Sequence, residues 1–451
     1  MSPRRQLKDP VRPGWLRPAL VAGALATALA VSLGLSGCGS LATTTTTPAP
    51  TSSTSTSGAT GAIAPATTST TQMSESAVTA YAALYSTLDA TLNSAQTYLD
   101  SQGPASPHPL TFGTELLPAN GNRGTALLQP GTLASVDLYL NRLEELGVQG
   151  VTVEIGYPLL MPSFPQSAEY VSFFKQVATE VRSHDMKLDV ESNVVFANTP
   201  FSTVTTSFAG LTLAQFAKNM LAMDQTVIDN LHPDSLDLCA EPDTDAELLG
   251  LPAFNNPQNF TQFVKTVAGG LKKGSTLVGA GGSTWESPAF DQSLVNVSSL
   301  DFICLHVYPL SASILQDIVA SCSLARQHGK KLVMDEAWLY KVATGQLAGG
   351  VAGAQTVMRR DVYSFWQPLD EKFMQTITQL AEVEGIQYVS PFWSRNFFAY
   401  LPYSAQTAGS SYAQLTMAAN TAAGVRIRGD QFSPVGTYYK SLIAAEVKKG
   451  Y

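Results

Sequence analysis

Eight short runs rich in aliphatic and β-branched residues recur over residues 110–393, and helix-length stretches separate most of them. Strands that alternate with helices build a parallel sheet. Eight such units over about 340 residues suit a closed barrel of eight strands and eight helices. The sequence therefore predicts an α/β fold, a (β/α)8 TIM barrel. The runs are LTFGTEL (110–116), VQGVTVEIGYP (148–158), MKLDVESNVVF (186–196), SLDLCAEP (235–242), TLVGAGGS (276–283), LDFICLHVYP (300–309), KLVMDEAWLY (331–340) and IQYVSPFW (386–393).

Glycines mark the predicted helix ends. The predicted helices include 132–146, 167–184, 212–230, 257–273 and 311–328, and a glycine stands between a helical stretch and the next strand at 147, 274, 329 and 385. Glycine is favoured there because the residue after a helix often adopts a left-handed conformation. The alternative fold is an open, doubly wound sheet, but no Gly-x-Gly-x-x-Gly follows the first run and the glycines of GAGGS (279–283) open no helix in that pattern. The barrel is the favoured fold.

The first 38 residues have the pattern of an export signal. Five basic residues precede the apolar run ALVAGALATALAVSLGL, which ends in LSGC at 35–38. This tetrapeptide resembles the bacterial lipobox, in which the cysteine, here Cys38, becomes a lipidated N-terminus. An ordinary membrane helix is the alternative, although the run is marginally short for a span. SPRRQLK near the start is also a weak match to a twin-arginine signal.

The next segments predict a tether and a helix. Residues 39–75 are almost entirely Thr, Ser, Ala, Gly and Pro, a composition that cannot bury a core. Residues 76–107 contain apolar side chains every three or four positions, which indicates an amphipathic N-terminal helix. The barrel domain is then assigned to residues 108–451. We expect an exported protein, anchored by lipid in a bacterial cell envelope on its extracellular face or in the periplasm.

Charge and cysteine content exclude several classes of function. Removal of the first 37 residues, with five basic residues and one acid, leaves 22 basic and 34 acidic residues. An acidic surface without a basic patch disfavours nucleic acid as a partner. Cys239, Cys304 and Cys322 form no Cys-x-x-Cys pair, and the five histidines lack metal-ligand spacing. We therefore predict buried free thiols, with no disulfide framework and no metal site. No cofactor and a monomeric state are also predicted.

The polar ends of the predicted strands gather the candidate functional residues. The active site of such a barrel lies at the carboxyl ends of its strands. The fourth run ends in Glu241 and the seventh in Glu336, while the sixth ends in His306-Val-Tyr308. Because side chains alternate along a strand, Glu336 shares a face with Met334 and Trp338, and Asp335 is expected to point toward the helices. Trp393 ends the eighth run.

Two glutamates framed by aromatic side chains suit acid–base chemistry on a sugar. A retaining glycosidase needs one protonated carboxylic acid for the leaving oxygen and one carboxylate to trap the oxocarbenium-like centre. Both groups can be glutamates if their surroundings separate their pKa values. The indoles of Trp338 and Trp393 could stack on the apolar face of a pyranose.

These motifs resemble those of clan A of the glycoside hydrolases, a large clan of (β/α)8 retaining glycosidases with cellulase-, mannanase- and galactanase-like members. The matching motifs are AEP (240–242), HVY (306–308), DEAW (335–338) and PFW (391–393), in the clan's order on the corresponding strands. The resemblance extends over about residues 108–448 in pattern and indicates no single family. It implies that Glu241 is the acid/base, Glu336 the nucleophile, Tyr308 a support for Glu336, and Trp393 part of the subsite for the cleaved sugar.

One position departs from the clan. The asparagine that usually precedes the acid/base and contacts the sugar 2-hydroxyl is Ala240 here. Asn193 near the end of the third run is a candidate replacement. The sequence also lacks an obvious arginine at the ends of the first two runs, where many clan members place one. Further substrate-contact candidates are Glu115, Glu154 and Tyr157.

Structural roles compete with each functional assignment. Glu241 and Glu336 could cap a helix or form an ion pair, His306 could be a hydrogen-bonded core histidine, and Trp338 and Trp393 could be core aromatics. We predict a surface-anchored hydrolase that cleaves a β-linked polysaccharide or oligosaccharide by double displacement. The alternatives are a catalytically inactive carbohydrate-binding lipoprotein on the same barrel and a two-lobed solute-binding protein.

Overall fold

The structure, a computed structural model, describes residues 75–103, 108–308, 311–343, 346, 354–355 and 358–449. Eight parallel strands form one sheet in the order β1-β8-β7-β6-β5-β4-β3-β2. The strands are β1 (Thr111–Phe112), β2 (Gly150–Glu154), β3 (Lys187–Ser192), β4 (Ser235–Leu238), β5 (Leu277–Ser283), β6 (Phe302–Val307), β7 (Lys331–Ala337) and β8 (Tyr388–Pro391).

Hydrogen bonds between β2 and the residues just after β1 bring the two ends of this sheet together. The backbone N–H of Thr152 donates to Thr114 O at 3.0 Å, and that of Leu116 donates to Thr152 O at 2.9 Å. Glu115 and Thr152 form a parallel bridge. The predicted (β/α)8 barrel is confirmed. β1 is shorter than the predicted run 110–116, because only its first residues pair with β8.

Helices surround the strands and follow the predicted alternation. They are α1 (Glu75–Ser101), α2 (Thr132–Leu146), α3 (Ser167–Ser183), α4 (Leu213–Leu231), α5 (Pro242–Leu249), α6 (Pro257–Gly270), α7 (Ala289–Leu294), α8 (Ala312–Gln327), α9 (Gln367–Glu384), α10 (Ala405–Ala408), α11 (Tyr412–Arg428) and α12 (Pro434–Lys449). Gly147 and Gly385 end α2 and α9 in the left-handed conformation, with φ of 87° and 74°. α6 ends three residues before the predicted 273, because Leu271 is extended.

α1 packs on the outer surface of the barrel. Tyr81 stacks on Phe365 with 5.6 Å between ring centroids, and Tyr85 stacks on Trp366 at 5.9 Å. The Lys372 ammonium of α9 contacts Asp89 at 2.6 Å. These contacts join α1 to α9 and the segment before it.

The predictions for the first 74 residues concern a part of the chain that lies outside the described residues. The export signal, Cys38 and nearly all of the tether lie outside the described residues. Within the described residues, no helix has the length and apolar character needed to cross a membrane. Cys239, Cys304 and Cys322 are buried free thiols.

The barrel interior is unusually polar below its carboxyl-terminal mouth. Branched aliphatic residues usually fill such a barrel. Here Thr152, Asp189, Asp237 and Asp335 are buried there, together with Cys304. Thr152 Oγ1 bonds to Ser390 Oγ at 3.1 Å and to the Tyr388 hydroxyl at 3.2 Å.

Candidate active site

One imidazole joins the two predicted catalytic glutamates at the carboxyl-terminal mouth. Nδ1 of His306 lies 3.0 Å from Glu241 Oε1 and 2.8 Å from Glu336 Oε2. These two oxygens are therefore separated by at most 5.8 Å, the sum of the two distances. Carboxyl groups of retaining glycosidases stand about 5–5.5 Å apart, and those of inverting enzymes about 6.5–9.5 Å. An upper limit of 5.8 Å between the two nearest oxygens is compatible with the closer class.

The end of β4 directs Glu241 into the mouth. Cys239 adopts a left-handed backbone with φ of 58°, and Pro242 opens α5 two residues after Ala240. Proline suits a first helical turn because its missing N–H is not needed there. Glu241 is the N-cap residue of α5, yet its side chain makes no capping hydrogen bond and contacts His306 instead. A helix-capping role therefore does not explain this acid.

A bulge in β7 places two consecutive acids inside the barrel. Cys304 pairs with Val333 and His306 pairs with Glu336, so β7 has one extra residue between these pairs. Glu336 contacts His306, and Asp335 also faces inward, where its Oδ1 lies 3.4 Å from His306 Nε2. The expectation that Asp335 points toward the helices was wrong, because a bulge interrupts the alternation of side chains.

Burial and neighbouring charges set the protonation of the pair. Burial raises the pKa of Glu241 to about 8, with a further increase from the Glu336 charge that opposes the lowering by the His306 hydrogen bond. Burial lowers the pKa of His306, but the charge of Glu336 and contacts with Asp335 and other acceptors outweigh it and raise that pKa well above its usual range. Glu241 thus holds a proton near neutral pH. Glu241 Oε2 and both carboxyl oxygens of Glu336 have no well-aligned hydrogen bond in the described part of the chain.

Three more glutamates lie on the same side of the barrel. Burial raises the pKa of Glu115 to about 8, and burial together with the Glu336 charge raises the pKa values of Glu154 and Glu191 well above their usual range. Glu191 Oε1 lies 3.5 Å from His306 Nε2. The sequence argument missed Glu191, although its spacing of two from Asp189 and Asn193 puts all three on one face of β3 and its extension.

Two asparagines hold Glu154, and one of them also contacts Glu115. Asn120 Nδ2 donates to Glu154 Oε2 at 2.8 Å and to Glu115 Oε1 at 3.3 Å, and Asn122 Nδ2 donates to Glu154 Oε1 at 2.8 Å. Both asparagines belong to the irregular segment after β1. No periodic pattern there could have indicated them, because their contacts depend on how the loop folds back over the mouth.

Buried aromatic residues near the glutamates carry polar atoms that have no partner in the described chain. Tyr308 is fully buried, with its ring 4.7 Å from that of Tyr340 and 6.0 Å from that of Trp285. The charges of Glu336 and Glu241 add to burial in raising the pKa of Tyr308 well above its usual range, so its hydroxyl stays a donor. Neither this hydroxyl nor the indole N–H groups of Trp338 and Trp393 has a partner among the residues described.

Two of the remaining candidates differ in their surroundings. Tyr157 packs on Phe208 and Phe216, and its hydroxyl accepts from Asn219 Nδ2 at 2.9 Å. These contacts turn Tyr157 toward α4, so the structure does not bring it to the glutamate pair. Asn193 is buried, and its Oδ1 has no hydrogen-bond partner within the described residues.

Buried cations lie beside the predicted tryptophans. The Arg395 guanidinium stands 5.5 Å from the Trp393 ring, and its charge lowers the pKa of Glu115 against the larger effect of burial. The Lys341 ammonium stands 4.9 Å from the Trp338 ring and forms ion pairs with Asp361 at 3.1 Å and Asp370 at 2.5 Å. Arg395 is thus a cation at the mouth, which it reaches from β8 rather than from β1 or β2.

Two groups of side chains have the composition of metal ligands. One consists of Glu191, His306 and Glu336, and the other of Asp237, Cys304, His306 and Asp335; in each group the ligand atoms lie within 4.8 Å of one another. The first group coincides with the candidate catalytic residues. The second lies deeper in the barrel.

Comparisons with known proteins return structures but no sequence relatives. No protein-family profile matches the chain, and no curated protein matches it. Among similar solved structures, an exo-β-1,4-mannosidase from an Opitutaceae bacterium is 13% identical, with a TM-score of 0.48 over 75% of this chain and 60% of that one. GH5_18 from Bifidobacterium longum is 12% identical, with a TM-score of 0.47; the match covers 75% of this chain and 79% of that one. A β-glucosidase from Thermotoga maritima is 10% identical, with a TM-score of 0.42; the match covers 75% of this chain and 99% of that one. This chain spans less than two thirds of the mannosidase, and its own eight strands establish its fold.

Proposed function

We propose that this protein is a glycoside hydrolase that cleaves a β-linked glycan with retention of configuration. One observation carries the proposal: Glu241 and Glu336 converge on Nδ1 of His306 at 3.0 and 2.8 Å, at the mouth where this barrel fold places active sites. Convergence of two acids on one buried imidazole has no explanation in helix capping or surface ion pairing.

In the first step Glu336 attacks the anomeric carbon. Its Oε1 has no hydrogen-bond partner in the described chain, so a lone pair is free for the new bond. His306, with its raised pKa, places a positive charge beside Oε2 and balances the carboxylate. Glu241, protonated because its pKa is about 8, gives its proton to the leaving oxygen. The products are a glycosyl ester on Glu336 and the free leaving alcohol.

In the second step the roles of Glu241 reverse. Its carboxylate accepts a proton from water, the water oxygen attacks the anomeric carbon, and the ester bond to Glu336 breaks. The enzyme regains its starting protonation state and releases a sugar of the original configuration.

Substrate recognition depends on the unpaired polar atoms of the mouth. Asn193 Oδ1 and the Trp393 indole N–H are buried and unpaired within the described residues. In our proposal Asn193 accepts from a sugar hydroxyl and takes over part of the role lost with Ala240, while Trp393 packs against the sugar. Tyr308 donates to the Glu336 carboxylate during the reaction.

A panel of 4-nitrophenyl β-glycosides and β-linked oligosaccharides tests this proposal. We expect hydrolysis of at least one member by the wild-type protein, with a loss of about 10³-fold or more in kcat/KM for Glu241→Gln on an unactivated substrate and for Glu336→Gln on every substrate. Glu169→Gln, an exposed residue of α3, is the matched control and should retain wild-type activity. Binding of glycans without turnover would favour the catalytically inactive binding protein.

We also propose that the hydrolase works at the outer side of a membrane. The lipobox-like LSGC ending at Cys38 and the Thr/Ser-rich residues 39–75 support a lipid anchor followed by a tether. A tethered enzyme could reach polymers too large to cross the membrane.

A further inference from the structure

A second cluster of ligand-type side chains lies in the barrel interior below the two catalytic glutamates. This deep cluster comprises Asp237 of β4, Cys304 and His306 of β6, and Asp335 of β7, all fully buried. The cluster draws on three different strands, which is why the spacing of these residues in the sequence gives no metal-binding pattern.

The atoms of the deep cluster lie close enough together to surround a single ion. Cys304 donates through Sγ to Asp335 Oδ1 at 2.5 Å, and the same oxygen stands 3.4 Å from His306 Nε2. One candidate atom from each of the four residues lies within 4.8 Å of all the others. Ligands about 2.0–2.3 Å from a tetrahedral zinc ion stand about 3.3–3.8 Å from one another. The four atoms, up to 4.8 Å apart, would have to draw closer together around a bound ion.

Most polar atoms of the deep cluster lack protein partners. Both oxygens of Asp237, Oδ2 of Asp335 and His306 Nε2 form no well-aligned hydrogen bond with any described residue, although the Cys304 thiol lies within reach of Asp237. No described lysine or arginine makes an ion pair with either aspartate. Buried polar atoms without partners are rare in native proteins and call for a specific explanation.

We propose that the deep cluster binds one divalent zinc ion through Cys304 Sγ, His306 Nε2 and one carboxylate oxygen from each of Asp237 and Asp335. Sulfur, imidazole nitrogen and carboxylate oxygen are all zinc ligands, and four protein ligands close the coordination sphere as in structural zinc sites. On binding, the Cys304 thiol, Nε2 of His306 and the Asp237 carboxyl group release the protons they carry to solvent, because each ligand atom must be deprotonated. The ion then takes the place of the thiol proton between sulfur and Asp335.

Zinc in the deep cluster would also orient the catalytic pair of the proposed function. With Nε2 bound to the ion, the remaining proton of His306 must reside on Nδ1, which faces Glu241 and Glu336. A metal-bound histidine commonly donates its other N–H to a carboxylate, which fixes its tautomer and ring orientation. His306 would thus connect the ion to both glutamates as a neutral imidazole, and the charge of the ion would replace that of the protonated imidazole beside Glu336.

Metal analysis of the full chain tests the zinc site independently of activity. After removal of metal and addition of zinc followed by desalting, we expect about one zinc ion per wild-type chain. X-ray absorption at the zinc edge should show one sulfur and three nitrogen or oxygen neighbours. In cobalt-loaded protein, a thiolate-to-cobalt charge-transfer band should appear.

Two cysteine variants separate the deep cluster from the other thiols. Cys304→Ser should bind zinc at least tenfold more weakly and lose the cobalt charge-transfer band, whereas Cys322→Ser, which alters a buried thiol of α8, should match wild type in both. No retained zinc, or a zinc neighbour shell without sulfur in the wild-type protein, would overturn the proposal even if Cys304→Ser failed to fold. Zinc binding without glycan hydrolysis would refute the proposed function alone, and hydrolysis by a protein that retains no zinc after loading would refute this inference alone.

Discussion

Glu241 is the N-cap residue of α5, a position whose side chain usually bonds to the first N–H groups of the helix. The side chain of Glu241 points into the barrel mouth instead. Its backbone caps α5, while its carboxyl group contacts His306 at 3.0 Å. The N–H groups at the start of α5 are partly satisfied by another acid, since Glu286 Oε1 accepts from Asp243 N at 3.1 Å. Glu241 is thereby left free to exchange a proton.

The raised pKa of Glu241 predicts the alkaline limb of the pH–rate profile. The general acid must hold its proton. Titration of Glu241 should therefore leave kcat/KM constant below pH 8 and make it decline as pH rises through about 8. The sign follows from burial, which disfavours the charged form. Measurement of kcat/KM from pH 5 to 10 with a poor leaving group checks this.

Glu241→Gln supplies the comparison for that profile. With an activated aryl glycoside the variant needs no general acid in its first step, so its alkaline limb should disappear. A limb that persists near pH 8 in the variant would assign the titration to another residue.

The sequence indicated the two central glutamates because each ends a strand, a position that can be recognised from local pattern alone. It could not indicate Asp335, since the bulge in β7 arises from the pairing of β7 with β6 and β8. The alternation of side chains along β3 could have indicated Glu191, because it lies two residues before Asn193. Asn120 and Asn122 depend on a long-range fold of the loop after β1, which leaves no periodic signal.

At the level of elements, β5 shows how glycines accommodate the neighbouring strand. A Cβ at Gly279 would lie 2.0 Å from the Phe302 ring, and one at Gly281 would lie 1.9 Å from the backbone oxygen of Cys304. β6 can therefore approach β5 closely only while these positions lack side chains. The GAGGS motif serves strand packing, which agrees with its failure to match a nucleotide-binding loop.

Gly281→Ala should destabilise the barrel, because backbone atoms of β6 cannot move aside without disturbing the sheet. The expected loss in the free energy of unfolding is about 1–3 kcal/mol or more, as for an overpacked core. Gly269→Ala in α6 is the matched control, since no atom lies within 4 Å of the added Cβ. That variant should gain about 0.5–1 kcal/mol. Urea denaturation measures both, and equal stabilities would contradict this account of β5.

Helix positions were predicted more closely than strand lengths. The bounds of α2 and α3 agree with the predicted 132–146 and 167–184 to within one residue, because amphipathic spacing and a following glycine or polar turn define both ends. β1 was predicted too long, since ladder length depends on the partner strand, which is distant in sequence.

At the scale of the whole molecule, the lipid anchor and the barrel are separable predictions. Cys38→Ser should move the protein from the membrane fraction to the soluble exported fraction, because the thiol is the predicted site of lipid attachment. Hydrolysis by the released protein should be unchanged, since the described barrel begins far beyond this residue. Fractionation of cells expressing each form measures the change. Membrane association that survives the substitution would support the alternative of an uncleaved membrane helix.

The central claim, that Glu336 forms a bond to the sugar while Glu241 supplies the proton, is tested most directly by trapping the intermediate. A 2-deoxy-2-fluoro β-glycoside of the best substrate, with a good leaving group, should inactivate the enzyme and leave one sugar per chain. Mass spectrometry of the digested protein should place that sugar on the peptide that contains Glu336. A label on any other residue, or turnover of the normal substrate with an α-configured first product, would contradict the proposed double displacement.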